Sequence, residues 1–183
     1  MRKLLLASCC LILFAACKEE AEKTTEAVVA AESTKTPPPV SFADQRYMDM
    51  GKKSLSLFAA GDIDGWANGF ADNIMFRWSA GDSLSGKEAV VKYWKDRRAT
   101  VLQSIEVSND IWLPVTVNEP QSTESKGTWL LSWYQVKATY KNNEKLTFWV
   151  HIDMHYNKED KVDEFIQYID RAPIQAALAK KKM

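Results

Sequence analysis

Both histidines of the chain lie in one stretch, residues 147–156. If this stretch forms a β-strand, alternate side chains point to opposite faces of the sheet. One face then carries Trp149, His151, Asp153 and His155. The other face is apolar and carries Phe148, Val150, Ile152, Met154 and Tyr156. An indole, two imidazoles and a carboxylate in one line are typical of a pocket wall, so we expect the first face to line a binding pocket.

The residues of this predicted pocket wall have the chemistry for proton transfer. Side chains two residues apart on a strand are separated by about 6.5 to 7 Å, so Asp153 can orient the imidazole of His151 or of His155. A His151–Asp153 pair is typical of a catalytic general base. The sequence leaves a structural alternative open, in which Asp153 and His151 satisfy one another together with Arg77 or Tyr134.

Several function classes are excluded or disfavoured. The two histidines would lie about 13 Å apart along the strand and cannot share one metal ion, so we predict no metal site. The formal net charge is zero, so the sequence lacks the excess of basic residues that is typical of nucleic-acid-binding domains. There is no glycine-rich phosphate loop and no nucleophile elbow, and we predict no cofactor.

Aromatic residues predict the character of the pocket. In a strand, Trp129, Leu131 and Trp133 share one face. The residues that we predict to line the ligand pocket are Trp78, Trp129, Trp133, Tyr134, Trp149, His155 and Tyr168. A cavity with aromatic walls and a few polar groups suits a small, flat and partly apolar organic molecule.

The N-terminus predicts a membrane anchor. Arg2 and Lys3 precede an apolar run at residues 4–16, the pattern of a secretory signal peptide. The sequence LFAAC at 13–17 resembles a bacterial lipobox, which implies that Cys17 is acylated and becomes the mature N-terminus. We therefore predict a lipid-anchored protein of the bacterial cell envelope, in the outer membrane, with exposure on the cell surface left open.

The chain divides into four predicted parts. They are a lipoprotein signal peptide at 1–16, the acylated Cys17 with a flexible stalk up to residue 39, a folded domain at 40–178 and a basic tail at 179–183. The stalk is rich in Glu, Ala, Lys and Thr and ends in three prolines, so it cannot bury enough apolar surface to fold.

The elements of the folded domain predict an α+β fold. Hydrophobic spacing predicts a helix over 41–60 that starts at Ser41 and ends at Gly61, a short helix over 62–70 capped by Asp62, and a third helix from a capping box at Ser85. The inward stripe of the third helix is predicted to contain Ala89, Val90, Tyr93, Trp94 and Arg97. The predicted strands are 73–78, 83–84, 104–117, 128–140, 146–156 and 162–169. Long antiparallel strands after three helices indicate helices that cover one face of a bent sheet.

Four segments resemble the NTF2-like superfamily, in its SnoaL-like branch. They are LFAAGDIDGW at 57–66, FADN at 70–73, SGKEAV at 85–90 and YIDRA at 168–172. The resemblance covers the whole predicted domain and implies a cone-shaped, mainly antiparallel sheet wrapped around the helices, with an internal pocket. It does not imply one activity, because the superfamily includes isomerases, dehydratases, cyclases, transport factors and binding modules.

Comparison with ketosteroid isomerase, a member of that superfamily, argues against the steroid reaction. In this resemblance, Trp78 stands where the isomerase has its catalytic carboxylate, and Ser54 stands where it has its oxyanion tyrosine. Only its oxyanion aspartate has a counterpart, Asp153. An indole cannot abstract a proton, so the resemblance implies a pocket around Asp153 without that activity.

Three hypotheses follow from the sequence. The first is a membrane-anchored module that binds a small organic ligand. The second is a lyase or isomerase that uses His151 and Asp153, with Tyr134 or Tyr168 as proton donor. The third is an interaction protein with a filled cone, which forms a homodimer through the apolar face of Phe148, Val150, Ile152 and Met154.

Overall fold

The computed structural model describes residues 37–180. The predicted signal peptide, Cys17, most of the predicted stalk and the last three residues of the predicted tail lie outside the described residues. No helix in the described part of the chain has the length and apolar character needed to cross a membrane.

The described chain contains seven strands and four helices. In chain order they are β1 (Val40–Phe42), α1 (Arg46–Ala60), α2 (Ile63–Ala67), β2 (Phe70–Trp78), β3 (Ser83–Ser85), α3 (Lys87–Thr100), β4 (Leu102–Val117), β5 (Gly127–Tyr140), β6 (Lys145–Tyr156), β7 (Val162–Tyr168) and α4 (Ala172–Ala179).

The first helix starts later in the chain than the sequence predicts. Ser41 is not its N-cap, because Val40–Phe42 pair with Val117 to Val115 of β4 as an edge strand. The helix begins at Arg46, whose backbone N–H donates to Oδ1 of Asp44 at 2.8 Å. The three residues of this strand are too few to show a hydrophobic period, so the sequence does not distinguish a short edge strand from the first turn of a helix.

Three other helix ends were predicted, two of them correctly. Gly61 ends α1 in the left-handed region at φ 87°, as expected for a residue without Cβ. Asp62 caps α2 by accepting from the backbone N–H of Gly65 at 2.8 Å. The capping box at Ser85 is wrong, because Ser85 pairs with Met75 in the sheet and Gly86 is the N-cap of α3. Helix α4 was not predicted.

The strands form one seven-stranded sheet in the order β1-β4-β5-β6-β7-β2-β3. All neighbouring strands are antiparallel except β2 and β7, which are parallel. This confirms the predicted α+β fold with a mainly antiparallel sheet. Register shifts interrupt the pairing of β4 with β5 and of β6 with β7, and such bulges bend and twist a sheet locally.

The two faces of the sheet have different surroundings. We call the face against which the helices pack the inner face; its core residues include Phe76, Trp78, Leu130, Tyr134, Val150, Ile152, Met154, Phe165 and Gln167. We call the opposite face the outer face; its residues include Arg77, Leu113, Leu131, Trp133, His151, Asp153, Ile166 and Tyr168. Helix α1 approaches the inner face closely at Gly51, where a Cβ would lie 2.7 Å from a ring carbon of Trp112.

Candidate functional site

Two adjoining cavities lie between the helices and the inner face. The larger, which we call the inner cavity, has a volume of about 80 Å³, and the smaller has about 20 Å³. Both are lined by Leu55, Phe58, Trp94, Tyr134 and Gln167, and the inner cavity is also lined by Trp78, Tyr93, Arg97, Tyr140, Phe148, Val150 and Ile174. Side chains from all four helices and from five strands therefore build one enclosure with aromatic and aliphatic walls.

Three polar side chains shared by the lining of these cavities are hydrogen-bond donors. The indole N–H of Trp94 is buried and has no partner among the described residues. The side-chain oxygen of Gln167 accepts from the indole N–H of Trp78 at 2.9 Å, which leaves the amide nitrogen of Gln167 as the group for another partner. Burial raises the pKa of Tyr134, so its hydroxyl keeps its proton and can donate.

A fourth polar residue, Arg97, also lines the inner cavity and carries a guanidinium with several donors. Its central carbon lies 5.6 Å from the ring centroid of Tyr93, a cation–π distance. Within the described residues Arg97 forms no ion pair, and no Asp or Glu of residues 37–180 lines either cavity. The lining thus contains several hydrogen-bond donors and no carboxylate.

On the outer face, His151 is held between two aromatic rings. Its ring stacks on Trp133 at 4.4 Å and on Tyr168 at 5.1 Å. These contacts follow from the strand register, which places His151 directly opposite Trp133 on one side and Tyr168 on the other. The alternation of β5, β6 and β7 therefore positions the imidazole before any polar contact forms.

Both ring nitrogens of His151 face oxygen atoms. Nδ1 lies 2.9 Å from the carbonyl oxygen of Ser132, so Nδ1 carries a proton and donates it. Nε2 lies 2.9 Å from Oδ1 of Asp153. A second proton on Nε2 or on the carboxyl group makes this contact attractive, because otherwise two lone pairs would face each other. No donor is aligned with Oδ1, so this contact does not have hydrogen-bond geometry.

Burial acts on the ionisable groups of this cluster. Burial raises the pKa of Asp153, while the nearby His151 and the hydroxyl of Tyr168 oppose this increase. Burial and the neighbouring Asp153 raise the pKa of Tyr168. His151, Asp153 and Tyr168 therefore form one partly buried polar cluster on the outer face.

A second imidazole–carboxylate pair lies in the same row of the outer face. Nδ1 of His155 is 2.5 Å from Oδ1 of Asp163, and Nε2 is 3.2 Å from the carbonyl oxygen of Lys126. Sequence reasoning missed Asp163. The register shift between His155 and Tyr156 brings Asp163 to His155, and no local sequence signal identifies the partner of such a bulge.

Comparison with known proteins establishes the fold. No family model matches the sequence, and no curated protein matches it. A solved NTF2-like protein of unknown function from Burkholderia pseudomallei is similar to this chain, with a TM-score of 0.56, 14% identity, and 73% of this chain and 97% of that chain covered. The domain has the NTF2-like fold.

Two further solved structures share this NTF2-like fold. A protein with a ketosteroid isomerase-like fold from Catenulispora acidiphila, in complex with trimethylamine, gives a TM-score of 0.54 at 8% identity, with 70% of this chain and 91% of that chain covered. An LEH-like epoxide hydrolase from M. tuberculosis gives a TM-score of 0.52 at 12% identity, with 71% and 87% covered. At sequence identities this low, the similarity shows a shared fold and gives no information about activity.

Within the NTF2-like fold, the predicted site residues are divided between the two faces. Trp78 and Tyr134 line the inner cavity. The outer face carries Trp129, Trp133, Trp149, His151, Asp153, His155 and Tyr168. The expectation of one pocket wall around His151 and Asp153, enclosed by the helices, is therefore corrected.

The face predicted to be free for dimerisation is also corrected. Phe148, Val150, Ile152 and Met154 line the two cavities instead of facing away from the helices. The physical reason is the same for both corrections. Alternation determines which side chains share a face, but the helices cover whichever face buries more apolar surface.

Several polar lining residues that sequence reasoning did not assign to the pocket lie on α3 and β7. Tyr93, Trp94 and Arg97 were predicted on the inward stripe of a helix, and that stripe is the signal that could have placed them in the pocket. Gln167 gave no signal, because an isolated glutamine in a strand is usually solvent-exposed. Residues 37–180 contain no group of three His, Cys, Asp or Glu arranged to hold a metal ion.

Proposed function

We propose that the domain binds a small, partly apolar organic ligand in the inner cavity. The observation that carries this proposal is an aromatic enclosure in which the buried indole N–H of Trp94 has no partner. Burying an amide-like donor without a hydrogen bond typically costs about 1 to 3 kcal/mol, so a bound acceptor would relieve a cost that the protein alone does not.

The size of the cavity limits the ligand. Benzene, with six non-hydrogen atoms, binds in an engineered apolar cavity of about 150 Å³, so six non-hydrogen atoms is the upper limit for a cavity of about half that volume. The inner cavity has about 80 Å³. The protein of the same fold that was solved with trimethylamine supports a ligand of this size, although not of the same chemistry.

The test uses the indole N–H resonances of the full chain in ¹H–¹⁵N correlation spectra. Candidate molecules of four to six non-hydrogen atoms are titrated, and the resonance lost in the Trp94→Phe variant identifies Trp94. We expect this resonance to shift on binding. The matched control is Trp149→Phe, which removes an exposed indole on the outer face and leaves binding unchanged. A library of such molecules that shifts no indole resonance would overturn the proposal.

We further propose that this domain is anchored to a bacterial outer membrane through an acylated Cys17, as the lipobox-like residues 13–17 support. Replacing Cys17 by Ser should abolish lipid labelling and release the protein from the membrane fraction. Replacing Cys9, which lies inside the signal peptide, should change neither. Continued membrane association of Cys17→Ser would contradict the lipoprotein assignment.

The second candidate function is homodimerisation through the outer face. The five exposed large apolar side chains of the described domain, Val40, Phe42, Ile111, Trp149 and Tyr168, all lie on this face by strand pairing and alternation. Apolar patches of this kind are typical of protein interfaces. We expect the native chain to sediment as a dimer at micromolar concentration. Trp149→Glu should dissociate this dimer, whereas Ser56→Glu, which makes an equal charge change at an exposed position of α1, should not. A monomeric native chain would exclude it.

The enzyme hypothesis now has a stricter requirement. The sheet separates His151 and Asp153 from the inner cavity, so this pair cannot act on a ligand bound there. A lyase or isomerase reaction that uses them requires a substrate on the outer face. Loss of turnover in His151→Ala, with binding to the inner cavity unchanged, is the result that would support it.

A further inference from the structure

We infer that the ligand of the inner cavity is a small monocarboxylate with a short apolar body, and that Arg97 binds its carboxylate. This inference rests on the proposed function, because it names the class of ligand for the same cavity. It follows from the polar residues of the lining, among which Arg97, Trp94, Gln167 and Tyr134 carry donors and no carboxylate is found.

Arg97 is the group that favours an anion over a neutral acceptor. Its guanidinium is always charged at neutral pH and offers donors in a fork that matches a carboxylate. The side chain is half-buried against Tyr93 and forms no ion pair within the described residues. A partly buried charge without a counter-ion is costly, and a ligand carboxylate would neutralise it.

The neighbouring donors complete the coordination that a buried carboxylate needs. Trp94 and Arg97 are three residues apart on α3 and therefore lie on the same side of that helix. Gln167 on β7 and Tyr134 on β5 line the cavity from the sheet. A carboxylate has two oxygens with about four acceptor positions, so it can use several of these donors at once.

Other ligand classes fit this lining less well. An organic cation would meet Arg97 and find no carboxylate partner in the cavity wall. A hydrocarbon would leave the indole N–H of Trp94 unsatisfied. The apolar body is expected against the aliphatic part of the lining, which includes Val136, Ala138, Val150, Ile169 and Ile174.

The probes for the test are butyrate, butyramide and n-butylamine, which share a short chain and differ in charge. Each is titrated into the full chain at neutral pH, and the indole resonance of Trp94 reports binding. We expect butyrate to bind at least tenfold more tightly than either of the others, since hydrogen bonds to charged groups are about twice as strong as neutral ones.

Variants separate the role of Arg97 from a general charge effect. Arg97→Gln should weaken butyrate binding at least tenfold and leave butyramide unchanged. Arg97→Lys, which keeps the charge, should retain part of the affinity. The matched control is Arg77→Gln, which removes the same charge from the outer face, where Arg77 pairs with Glu164 at 3.2 Å. It should leave butyrate binding unchanged.

The outcomes distinguish this inference from the proposed function. If butyramide or n-butylamine binds as tightly as butyrate, or if Arg97→Gln does not weaken butyrate, the carboxylate inference is wrong while small-ligand binding stands. If none of the three probes shifts Trp94 and the wider library also fails, both are wrong. The comparison of the three probes uses the native chain, so it decides the inference even if Arg97→Gln is unstable.

Discussion

The two faces of the sheet are made of alternate residues of the same strands, yet their polar groups are partnered differently. On the outer face each histidine has a carboxylate, His151 with Asp153 and His155 with Asp163, and Arg77 has Glu164. On the inner face the donors around the cavity have no carboxylate. These outer-face groups have charged partners within the protein, whereas the indole N–H of Trp94 in the enclosure has no partner among the described residues and is open to a ligand.

Both faces are rich in aromatic residues, but the rings of the two faces differ in how deeply they are buried. Inner rings form a packed cluster, in which Phe76 stacks on Phe165 at 4.5 Å and meets Trp78 at 4.7 Å. Outer rings such as Trp149 are half-exposed. We therefore expect stability to depend on the inner face and association to depend on the outer face.

The largest expected effect is on the inner face. Phe76→Ala removes a ring that is 1% exposed, and we expect it to reduce the free energy of unfolding by about 3 to 5 kcal/mol through lost burial and a new cavity. The matched control is Phe42→Ala on the outer face, where the ring is 78% exposed and the change should stay within about 0.5 kcal/mol. Urea unfolding of both variants, measured as monomers, checks this. Equal losses would break the comparison.

The second effect tests how tightly α1 packs on the inner face. Gly51→Ala places a methyl group against Leu130 and 2.7 Å from Trp112, so we expect a loss of about 2 kcal/mol from overpacking. This loss would exceed the gain of about 1 kcal/mol from the better helix propensity of alanine. The matched control is Gly69→Ala, where the added Cβ would lie 3.5 Å from its nearest neighbouring atom, so this change should be close to neutral. Thermal unfolding of both variants measures the two effects. A stabilised Gly51→Ala protein would show that the helix can move.

The third effect is on the outer face and concerns the better buried histidine. Asp163→Asn removes the carboxylate that lies 2.5 Å from His155, and the imidazole is then left with a weaker partner. We expect a loss of about 1 to 2 kcal/mol at neutral pH. Asp64→Asn breaks a surface ion pair of Lys95 at 2.7 Å, and its cost should be below about 0.5 kcal/mol. Equal costs, measured by chemical denaturation, would show that the outer pair is as weak as a solvent-exposed one.

The smallest effect is a pH dependence at Asp153. Burial raises the pKa of this carboxyl group above its usual value of 3.8, against the effects of His151 and Tyr168. A group whose pKa is higher in the folded state contributes stability that is present at low pH and lost as pH rises through the folded pKa. The stability of the native chain relative to Asp153→Asn should therefore fall as pH rises from about 3.8, by less than about 1 kcal/mol because solvent screens the cluster.

Urea unfolding of the two proteins at several pH values between about 3 and 7 measures this difference. A relative stability that rises over the same range would mean that the pair with His151 outweighs burial. That result would make the outer cluster an electrostatic stabiliser of the fold and would weaken the contrast between the two faces.

Local sequence patterns were sufficient for most elements of this domain. Apolar periodicity predicted α1, α3 and the long strands, and the type of residue predicted the helix ends at Gly61 and Asp62, because these depend on neighbours a few residues away. Helix α4 was missed, since Ala172–Ala179 is short and apolar on most sides. Strand β1 was missed because its pairing partner lies far away in the sequence.

The contents of the candidate site show the limit of the sequence most clearly. Alternation in residues 147–156 determined that His151 and Asp153 share a face and that Val150 and Ile152 share the other. Only the tertiary structure decided which of these faces the helices cover, which carboxylate the bulge brings to His155, and that Arg97 and Gln167 meet at one cavity. The reason is that alternation is a property of one strand, whereas coverage and convergence depend on how separate elements pack together to bury the most apolar surface.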